Sequence, residues 1–273
     1  MVEQQIISTS APITAISWTG GKDCNLALLH AWRDGNFDVR YLIVFRLGTK
    51  QFKAHPLKFM EAQARSLDLR LIIVDFPDVV VDWMDAYVEG IGKVRDEYGV
   101  QVISTGDINL VGMMQRNWME RACEGAGIKC HLPLWDIDKE KALNAMLDEG
   151  FEIIFSCVKA PFFDETWINR KLDQTALQEM KEIIERGLTD DQLKSGLKPL
   201  DLCGERGEYH TMCVFGPLYK LRVEMDLSPE AQKEETPVTD WKGNIHNSNC
   251  IWTISLKETE VEVAVGSSIT IIK

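Results

Sequence analysis

A glycine-rich loop between a strand and a helix is the feature that most limits how this chain folds. Residues 19–24 read Thr-Gly-Gly-Lys-Asp-Cys, directly after the apolar stretch 13–18 and before the helical pattern 25–33. Such a turn aims backbone N–H groups and the positive end of the helix dipole at an anion. Gly20 and Gly21 lack a Cβ and so let the chain approach a phosphate closely. The loop therefore predicts an anion site at the end of a strand.

The other side chains of the loop supply the remaining chemistry of a phosphate site. Lys22 is a compact cation, Asp23 a carboxylate suited to Mg²⁺ or to fixing the loop, and Thr19 a hydroxyl donor. The spacing differs from that of the Walker loop. It resembles the S-G-G-x-D-S loop of the PP-loop ATP pyrophosphatases, with Cys24 in place of the usual serine. The resemblance implies that residues 19–24 bind ATP; a plain glycine turn is the alternative.

The position of Cys24 carries an expectation of its own. A thiol at the N-terminus of a helix lies near the positive end of the dipole, which lowers its pKa. We therefore expect Cys24 to be a reactive thiol beside the phosphate pocket.

Short apolar runs alternate with amphipathic helical patterns through the first 160 residues. The runs predicted to be central parallel strands are 41–45, 70–74, 100–104 and 151–155. This alternation predicts right-handed crossovers and a parallel sheet covered by helices on both faces. Ligands in such sheets bind at the carboxyl ends of the strands, where residues 19–24 lie. The predicted fold class is α/β.

Three regions follow from the pattern. Residues 1–105 are predicted to form a Rossmann-like, PP-loop ATP-binding domain, and residues 106–226 the rest of the sheet and a smaller α+β substrate lobe. Residues 227–273 are predicted to form a linker and a C-terminal β-hairpin tail. The tail prediction rests on a polar, proline-containing segment at 228–240 and on alternating apolar residues beyond it, Trp252 to Leu256 and Val261 to Val265.

Composition excludes several classes of function. The formal net charge of −12 argues against DNA and against non-specific RNA binding, which need a basic face. Seven scattered cysteines include no CxxC pair, so a reducing cytoplasm is the expected compartment. No run approaches the ~18 apolar residues of a membrane span, and we expect no membrane targeting. The oligomeric state, a homo-oligomer included, is left open.

Two further elements follow the fourth predicted strand. Gly106 permits close approach, and Asp107 is suited to a ribose, a metal or a cationic substrate group, although a simple turn explains both equally well. Arg116 is four residues before Glu120, so a helix-surface ion pair accounts for it. The alternative is that Arg116 binds a phosphate or carboxylate of the substrate in the crevice.

The densest cluster of ionisable residues is the segment Cys203-Gly-Glu-Arg-Gly-Glu-Tyr-His-Thr211. Glu205 and Glu208 are suited to hold a cation or ammonia, or to transfer a proton. His210 is suited to orient a carboxylate or to act as a base. A polar turn ahead of a strand explains the two glycines but not so many convergent ionisable groups.

Taken together, these motifs resemble the diphthine–ammonia ligase family. The elements that carry the resemblance occur in the family's order and span roughly residues 13 to 220: residues 19–24, Gly106-Asp107, 116–120, Pro133-Leu-Trp135, Asp164-Glu-Thr-Trp-Ile-Asn-Arg170 and 203–211. The C-G-E-x-G-E-[FY]-x-T element is the most discriminating. Asn169 stands where a glycine is common in the family, and asparagine tolerates left-handed geometry.

The resemblance implies ATP-dependent amidation of diphthine on elongation factor 2, through an acyl adenylate and with Mg²⁺. It implies that Glu205, Glu208 and His210 serve the acceptor and ammonia, with Lys22 and Asp23 on the ATP side. Arg116, Trp167, Arg170 and Tyr209 are the implied substrate-binding residues, the aromatic ones facing the quaternary ammonium of diphthine. Only 53 residues follow Lys220, so we expect free ammonium as the nitrogen donor. A PP-loop ligase acting on a small-molecule carboxylate or on a tRNA base, and a non-catalytic nucleotide-binding module, are the alternatives.

Overall fold

The computed structural model describes residues 3–48, 52–110, 114–225, 231–239, 245–254 and 269–272, without the side chains of 236–239, 245–249 and 269–272. The strands are β1 (Ile13–Ser17), β2 (Asp38–Leu47), β3 (Arg70–Phe76), β4 (Val102–Ser104), β5 (Lys129–His131), β6 (Glu152–Lys159), β7 (Tyr209–Phe215), β8 (Gln232–Thr239), β9 (Ile245–Thr253) and β10 (Ile269–Ile272). The α-helices are α1 (Lys22–Arg33), α2 (Leu57–Leu67), α3 (Trp83–Tyr98), α4 (Trp118–Gly125), α5 (Lys139–Asp148), α6 (Gln174–Arg186) and α7 (Asp190–Lys194).

A six-stranded sheet carries the first half of the chain. Its order is β10-β3-β2-β1-β4-β5, and the pairings between its neighbours are all parallel. The chain moves outward from β1 through β2 to β3 and then crosses to the other side of β1 to form β4. This reversal opens a crevice at the carboxyl ends of β1 and β4, the usual ligand position in open α/β sheets. The predicted α/β class and parallel sheet are confirmed.

Helices cover both faces of this sheet. On one face, Leu26 and Leu29 of α1 and Phe59 of α2 belong to the larger buried cluster. On the other, Ile91 of α3 and Ala122 of α4 belong to a second cluster. Because both faces are covered, successive side chains of a central strand are buried alike, as over residues 71–74.

The second sheet corrects one prediction about strand direction. Residues 151–155 were predicted to form a central parallel strand, but β6 lies in an antiparallel sheet of order β7-β6-β9-β8. Its inner residues are buried on both faces, several of them in the larger cluster. An antiparallel strand covered on both sides shows the same continuous apolar run as a parallel one, so the pattern does not give its direction.

The tail also differs from its prediction. Most of the predicted linker 228–240 is strand β8, which pairs antiparallel with β9, so the observed hairpin is β8–β9. β8 is polar and contains Pro237, which a strand tolerates at a sheet edge. The second arm predicted at Val261 to Val265 lies outside the described residues. β10 joins the parallel sheet beside β3. The predicted domain boundaries after residues 105 and 226 remain predictions.

Among the described residues, no helix is both long enough and apolar enough to cross a bilayer.

Candidate active site

The loop 19–24, called the phosphate loop after its predicted ligand, lies between β1 and α1, at the carboxyl edge of the parallel sheet. Gly21 is the N-cap of α1 and supplies no side-chain hydrogen bond to the first turn. The helix therefore begins with N–H groups that its own N-cap side chain does not satisfy. A side chain of the second sheet accepts one of these N–H groups: the N–H of Lys22 donates to Thr211 Oγ1 at 3.1 Å.

Gly20 is required by the backbone and by packing, and Gly21 lies in a tight contact. Gly20 has a φ of +79°, and a Cβ there would lie 2.5 Å from Gln63 Oε1. The Gly20 carbonyl accepts hydrogen bonds from Gln63 Nε2 at 2.9 Å and from the N–H of Cys213 at 3.0 Å. A Cβ on Gly21 would lie 3.1 Å from the carbonyl oxygen of Thr211. The loop is thus clamped between α2 and β7.

The end of β4 meets the loop, as the strand order requires. A Cβ on Gly106 would lie 2.5 Å from the carbonyl carbon of Asp23 and 2.7 Å from the backbone nitrogen of Cys24. The Asp107 carboxylate accepts hydrogen bonds from Thr105 Oγ1 at 3.1 Å and from Asn117 Nδ2 at 2.6 Å. A role of Asp107 in binding ribose or metal remains a prediction.

A cavity of about 210 Å³ lies between the two loops that the sequence singled out. It is lined by residues that are about 180 positions apart in the chain, together with one histidine from the segment before α2: Thr19, Gly21, Lys22, Asp23, His55, Cys203, Gly204, Glu205, Gly207, Tyr209, His210 and Thr211. The antiparallel sheet, through β7, places the second loop over the phosphate loop of the parallel sheet.

Lys22 joins the two loops. Its Nζ lies 2.7 Å from Asp23 Oδ2, donates to the carbonyl oxygen of Cys203 at 2.6 Å and lies 5.2 Å from the centre of the Tyr209 ring. Burial lowers the pKa of Lys22, but the neighbouring Asp23 carboxylate and the Tyr209 and Cys203 side chains raise it, so the net pKa lies above its ordinary value. The ammonium group is therefore charged at neutral pH although only 4% of the side chain is exposed.

Glu205 is the carboxylate of the second loop that faces the cavity. Burial, and next the charge of Asp23, raise the pKa of Glu205 to about 7. Glu205 is thus poised between its acid and base forms at neutral pH, which suits a proton-transfer group.

Glu208 occupies a different environment. It is buried, it is not among the residues that line the cavity, and its carboxylate accepts hydrogen bonds from the N–H groups of Asp201 at 2.8 Å and Arg206 at 3.0 Å. This geometry assigns Glu208 to holding the loop in shape and favours Glu205 for chemistry. The catalytic role predicted for Glu208 has no support from its position.

Two histidines line the cavity and contact each other. His210, a predicted site residue, contacts His55 edge to face with ring centres 5.4 Å apart. Burial first, then His210 and Lys22, lower the pKa of His55 to about 3, and burial with Lys22 lowers the pKa of His210. His55 is therefore neutral at neutral pH. Sequence reasoning missed it because a single histidine before Pro56 carries no motif; the one available signal was its position just ahead of a helix start.

The expectation for Cys24 was wrong. The side chain is buried behind the loop, where its Sγ donates to the carbonyl oxygen of Gly21 at 3.2 Å, and it is not among the cavity-lining residues. Burial raises the pKa of the Cys24 thiol to about 11, since the cost of burying a thiolate exceeds the benefit of the helix terminus. Cys24 belongs to the support of the loop.

Other predicted substrate-binding residues lie in structural contacts. Arg116 is 52% exposed and pairs with Glu120 and Glu124, as the helix-surface interpretation predicts. Trp167 is buried between Phe155 and Phe163.

Arg170 covers the ring of Trp167, with Cζ 4.3 Å from its centre, and pairs with Glu179. Asn169 has a φ of +61°, which explains why this position favours asparagine or glycine. Among the four predicted substrate-binding residues, only Tyr209 lines the cavity.

Fold and loop together define an α/β protein with a PP-loop type of phosphate site. Two family profiles match it: the diphthamide synthase N-terminal domain over residues 13–130 and the diphthamide synthase C-terminal domain over residues 138–246. These matches cover most of the chain and both loops of the cavity. The chain belongs to the diphthamide synthase family.

Two relatives with similar sequences are both named diphthine–ammonia ligase. A Schizosaccharomyces pombe protein named diphthine–ammonia ligase is 33% identical over 126 residues, which are 45% of this chain and 18% of that protein. A human protein of the same name is 27% identical over 176 residues, 64% of this chain and 60% of that protein. The matched region is therefore less than two thirds of either relative.

A solved structure described as a predicted subunit of tRNA methyltransferase from Methanocaldococcus jannaschii aligns with 74% of this chain and 96% of its own. It has a TM-score of 0.37 and 12% identity.

Proposed function

We propose that the protein amidates a carboxylate at the expense of ATP, through an acyl adenylate, and releases AMP and pyrophosphate. The proposed acceptor is diphthine on elongation factor 2, the product is diphthamide, and the nitrogen donor is ammonium. Family membership and the names of the two relatives support this acceptor. The free state of all seven cysteines fits a cytoplasmic enzyme.

One observation carries the proposal: the phosphate loop and the loop 203–211 line one cavity and are joined through Lys22. A ligase of this kind must hold a leaving pyrophosphate and an attacking nitrogen on opposite sides of one reacting carboxylate. The first loop offers backbone donors and a charged ammonium for the phosphates. The second offers, for the nitrogen, Glu205 with a pKa of about 7 and His210, whose pKa is lowered by burial and by Lys22.

The chemistry takes two steps. First, a carboxylate oxygen of the acceptor attacks the α-phosphorus of ATP, the bond from that phosphorus to the bridging oxygen breaks, and pyrophosphate leaves. Ammonium then loses a proton to Glu205, the resulting ammonia attacks the acyl carbon, and AMP leaves with the oxygen taken from the carboxylate. The second nitrogen proton lost on the way to the neutral amide passes to solvent. Lys22 stabilises the charge that develops on the pyrophosphate side.

The residues also fit a magnesium ion. Asp23 Oδ1 is buried and has no hydrogen-bond partner among the described residues, and Glu205 is near enough for its pKa to respond to the Asp23 charge. Mg²⁺ in nucleotide sites is held by one or two carboxylates together with phosphate oxygens. Asp23 would hold the ion through Oδ1, and the ion would supply further positive charge toward the phosphates.

The products of the reaction test the proposal. Incubation with ATP, Mg²⁺, ammonium and elongation factor 2 that carries diphthine is expected to give AMP, pyrophosphate and the amide in equal amounts. Lys22→Ala should raise the barrier by about 3 kcal/mol, as loss of one oxyanion donor does. Lys194→Ala, on an exposed helix, is the control. ADP and phosphate as products, or an unchanged Lys22 variant, would contradict the proposal.

A further inference from the structure

Most of the exposed large apolar side chains lie in segments that follow strands of the parallel sheet. Among the described residues, eleven large apolar side chains are exposed, and six of them follow the carboxyl ends of β3, β4 and β5: Val79, Val81, Trp83, Leu110, Met114 and Trp135. Single exposed apolar residues are ordinary, but their concentration along one edge marks a binding surface. The carboxyl ends of parallel strands share an edge, and the phosphate loop follows β1 at that edge.

Val79 and Val81, in the segment that follows β3, line a groove. This β3–α3 groove has a volume of about 310 Å³ and is bounded by residues 74–77 and 79–82 and by the face of α3 that carries Asp85, Glu89 and Lys93. Val79 is 78% exposed and Val81 is 99% exposed, while Trp83 packs edge to face on Phe76 at the base. The two valines thus contribute little to the core and present their side chains to solvent.

The groove is acidic. Four carboxylates line it, Asp75, Asp82, Asp85 and Glu89, against the single cation Lys93. Lys93 pairs with Glu89 at 2.8 Å, and Asp75 pairs with Arg46 at 2.7 Å. Asp82 and Asp85 lie in the segment that begins α3, where Asp82 caps the helix. The remaining charge is negative, like the net charge of −12 of the chain.

These properties select one kind of occupant. A second copy of this acidic chain and a nucleic acid would both bring negative charge to a negative groove. A protein segment with both lysine or arginine and apolar residues matches the carboxylates and the exposed valines together. β3 lies two strands from β1 in the sheet, so the groove begins about 10 Å from the strand that leads into the phosphate loop.

We propose that the β3–α3 groove, with Val79 and Val81 above it, docks a basic and apolar segment of the protein acceptor and holds the reacting side chain at the cavity. This inference rests on the proposed function, because a protein acceptor needs contacts beyond its reacting side chain. It assigns affinity for the acceptor to the groove and chemistry to the two loops.

Two variants test the docking. Val79→Ser with Val81→Ser removes apolar contact without adding charge, and should raise the Kd and KM for diphthine-bearing elongation factor 2 at least ~10-fold, as loss of a hot spot does. The kcat and the affinity for ATP should stay within about twofold, since neither valine lines the cavity. Asp85→Lys should slow association and weaken its dependence on salt. Leu193→Ser and Asp191→Lys, both on exposed α7, are the matched controls.

The outcomes separate this inference from the proposed function. If the wild-type protein amidates the acceptor and both groove variants bind it as the wild type does, the docking inference is wrong and the proposed function stands. If the wild type neither binds nor amidates the acceptor, both are wrong. Sedimentation of the protein alone provides the last comparison: a self-association that the valine variant abolishes would assign the groove to a second copy and overturn the inference.

Discussion

Lys22 and Glu205 show how one buried environment adjusts two opposite charges at the scale of single residues. Burial lowers the pKa of Lys22, but the adjacent Asp23 carboxylate keeps the lysine protonated. The same burial, helped by the same carboxylate, raises the pKa of Glu205 to about 7. The site therefore holds a permanent cation for phosphate and a carboxyl group that exchanges its proton near neutral pH.

The raised pKa of Glu205 makes a prediction about stability. In the unfolded chain this carboxyl titrates near 4.5 and in the folded protein near 7. Between these values the folded state binds more protons, so this residue makes the free energy of unfolding fall as pH rises from about 4.5 to 7. Glu205→Gln lacks this loss and should become progressively more stable relative to the wild type over that range. Urea unfolding at several pH values measures the difference.

The control for this prediction is Glu208→Gln. Glutamine keeps only one acceptor oxygen for the two N–H groups that Glu208 binds, so this variant should lose stability.

Amide formation should fall by roughly 10²–10⁴ in Glu205→Gln, the usual cost of removing a positioned acid or base. A constant stability difference between Glu205→Gln and the wild type would show that Glu205 is not buried as described.

The sequence predicted the residues that carry a motif and missed those that depend on tertiary contact. Lys22 and Glu205 stand in glycine-flanked segments whose composition is unusual for a plain turn. The separation of Glu205 from Glu208 is invisible in the sequence, because two carboxylates three residues apart look equivalent until the loop folds. The prediction of a lowered pKa for Cys24 was wrong for a related reason. The helix terminus can be recognised from the local sequence, whereas the burial that raises the pKa of the thiol comes from tertiary packing.

At the scale of elements, Gln63 is the connection between the helix α2, the phosphate loop and β7. Its Nε2 donates to the carbonyl oxygens of Gly20 at 2.9 Å and Cys213 at 2.7 Å, and its Oε1 accepts from Trp18 Nε1 at 3.0 Å. The side chain is fully buried. A helix that contributes no cavity-lining residue thereby fixes the distance between the two sheets at the site.

Replacing this glutamine should destabilise the site and the fold together. Gln63→Leu removes three buried hydrogen bonds, each of which contributes about 1 kcal/mol. Trp18 Nε1 loses its acceptor, whereas the Gly20 carbonyl keeps the N–H of Cys213. We expect the free energy of unfolding to fall by about 3 kcal/mol and ATP affinity to fall with it. Urea unfolding with an unchanged m value, together with calorimetry of ATP binding, measures both. Gln178→Leu, on the exposed side of α6, should change neither. Normal ATP affinity in Gln63→Leu would show that the clamp does not shape the loop.

Element types were predictable where the period of apolar residues is strong, and element partners were not. The strand predicted over 70–74 is observed as β3, and the helical patterns predicted between the strands are observed as helices such as α2 and α3. The antiparallel pairing of β6 was not predictable, because a buried strand shows the same apolar run in parallel and antiparallel sheets. The strand β8 was not predictable either, because an edge strand tolerates polar residues and proline. These two elements belong to the second sheet, which brings the loop 203–211 over the phosphate loop.

On the scale of the whole molecule, two sheets divide the work. The parallel sheet supplies the phosphate loop at its carboxyl edge, and the antiparallel sheet supplies, through β7, the loop with Glu205 and His210. The cavity lies where the loops of the two sheets meet, so neither sheet alone contains the proposed site. The proposed docking groove would extend this arrangement to a protein acceptor.

In the proposed function, the acceptor carboxylate is activated at this junction when one of its oxygens attacks the α-phosphorus of ATP. The most direct measurement uses elongation factor 2 whose diphthine carboxylate is labelled with ¹⁸O, together with ATP, Mg²⁺ and ammonium. Because the carboxylate oxygen that attacks phosphorus leaves with AMP, each amide formed should place one ¹⁸O in AMP and none in pyrophosphate, as read by mass spectrometry. AMP without the label, or label in inorganic phosphate, would contradict the account.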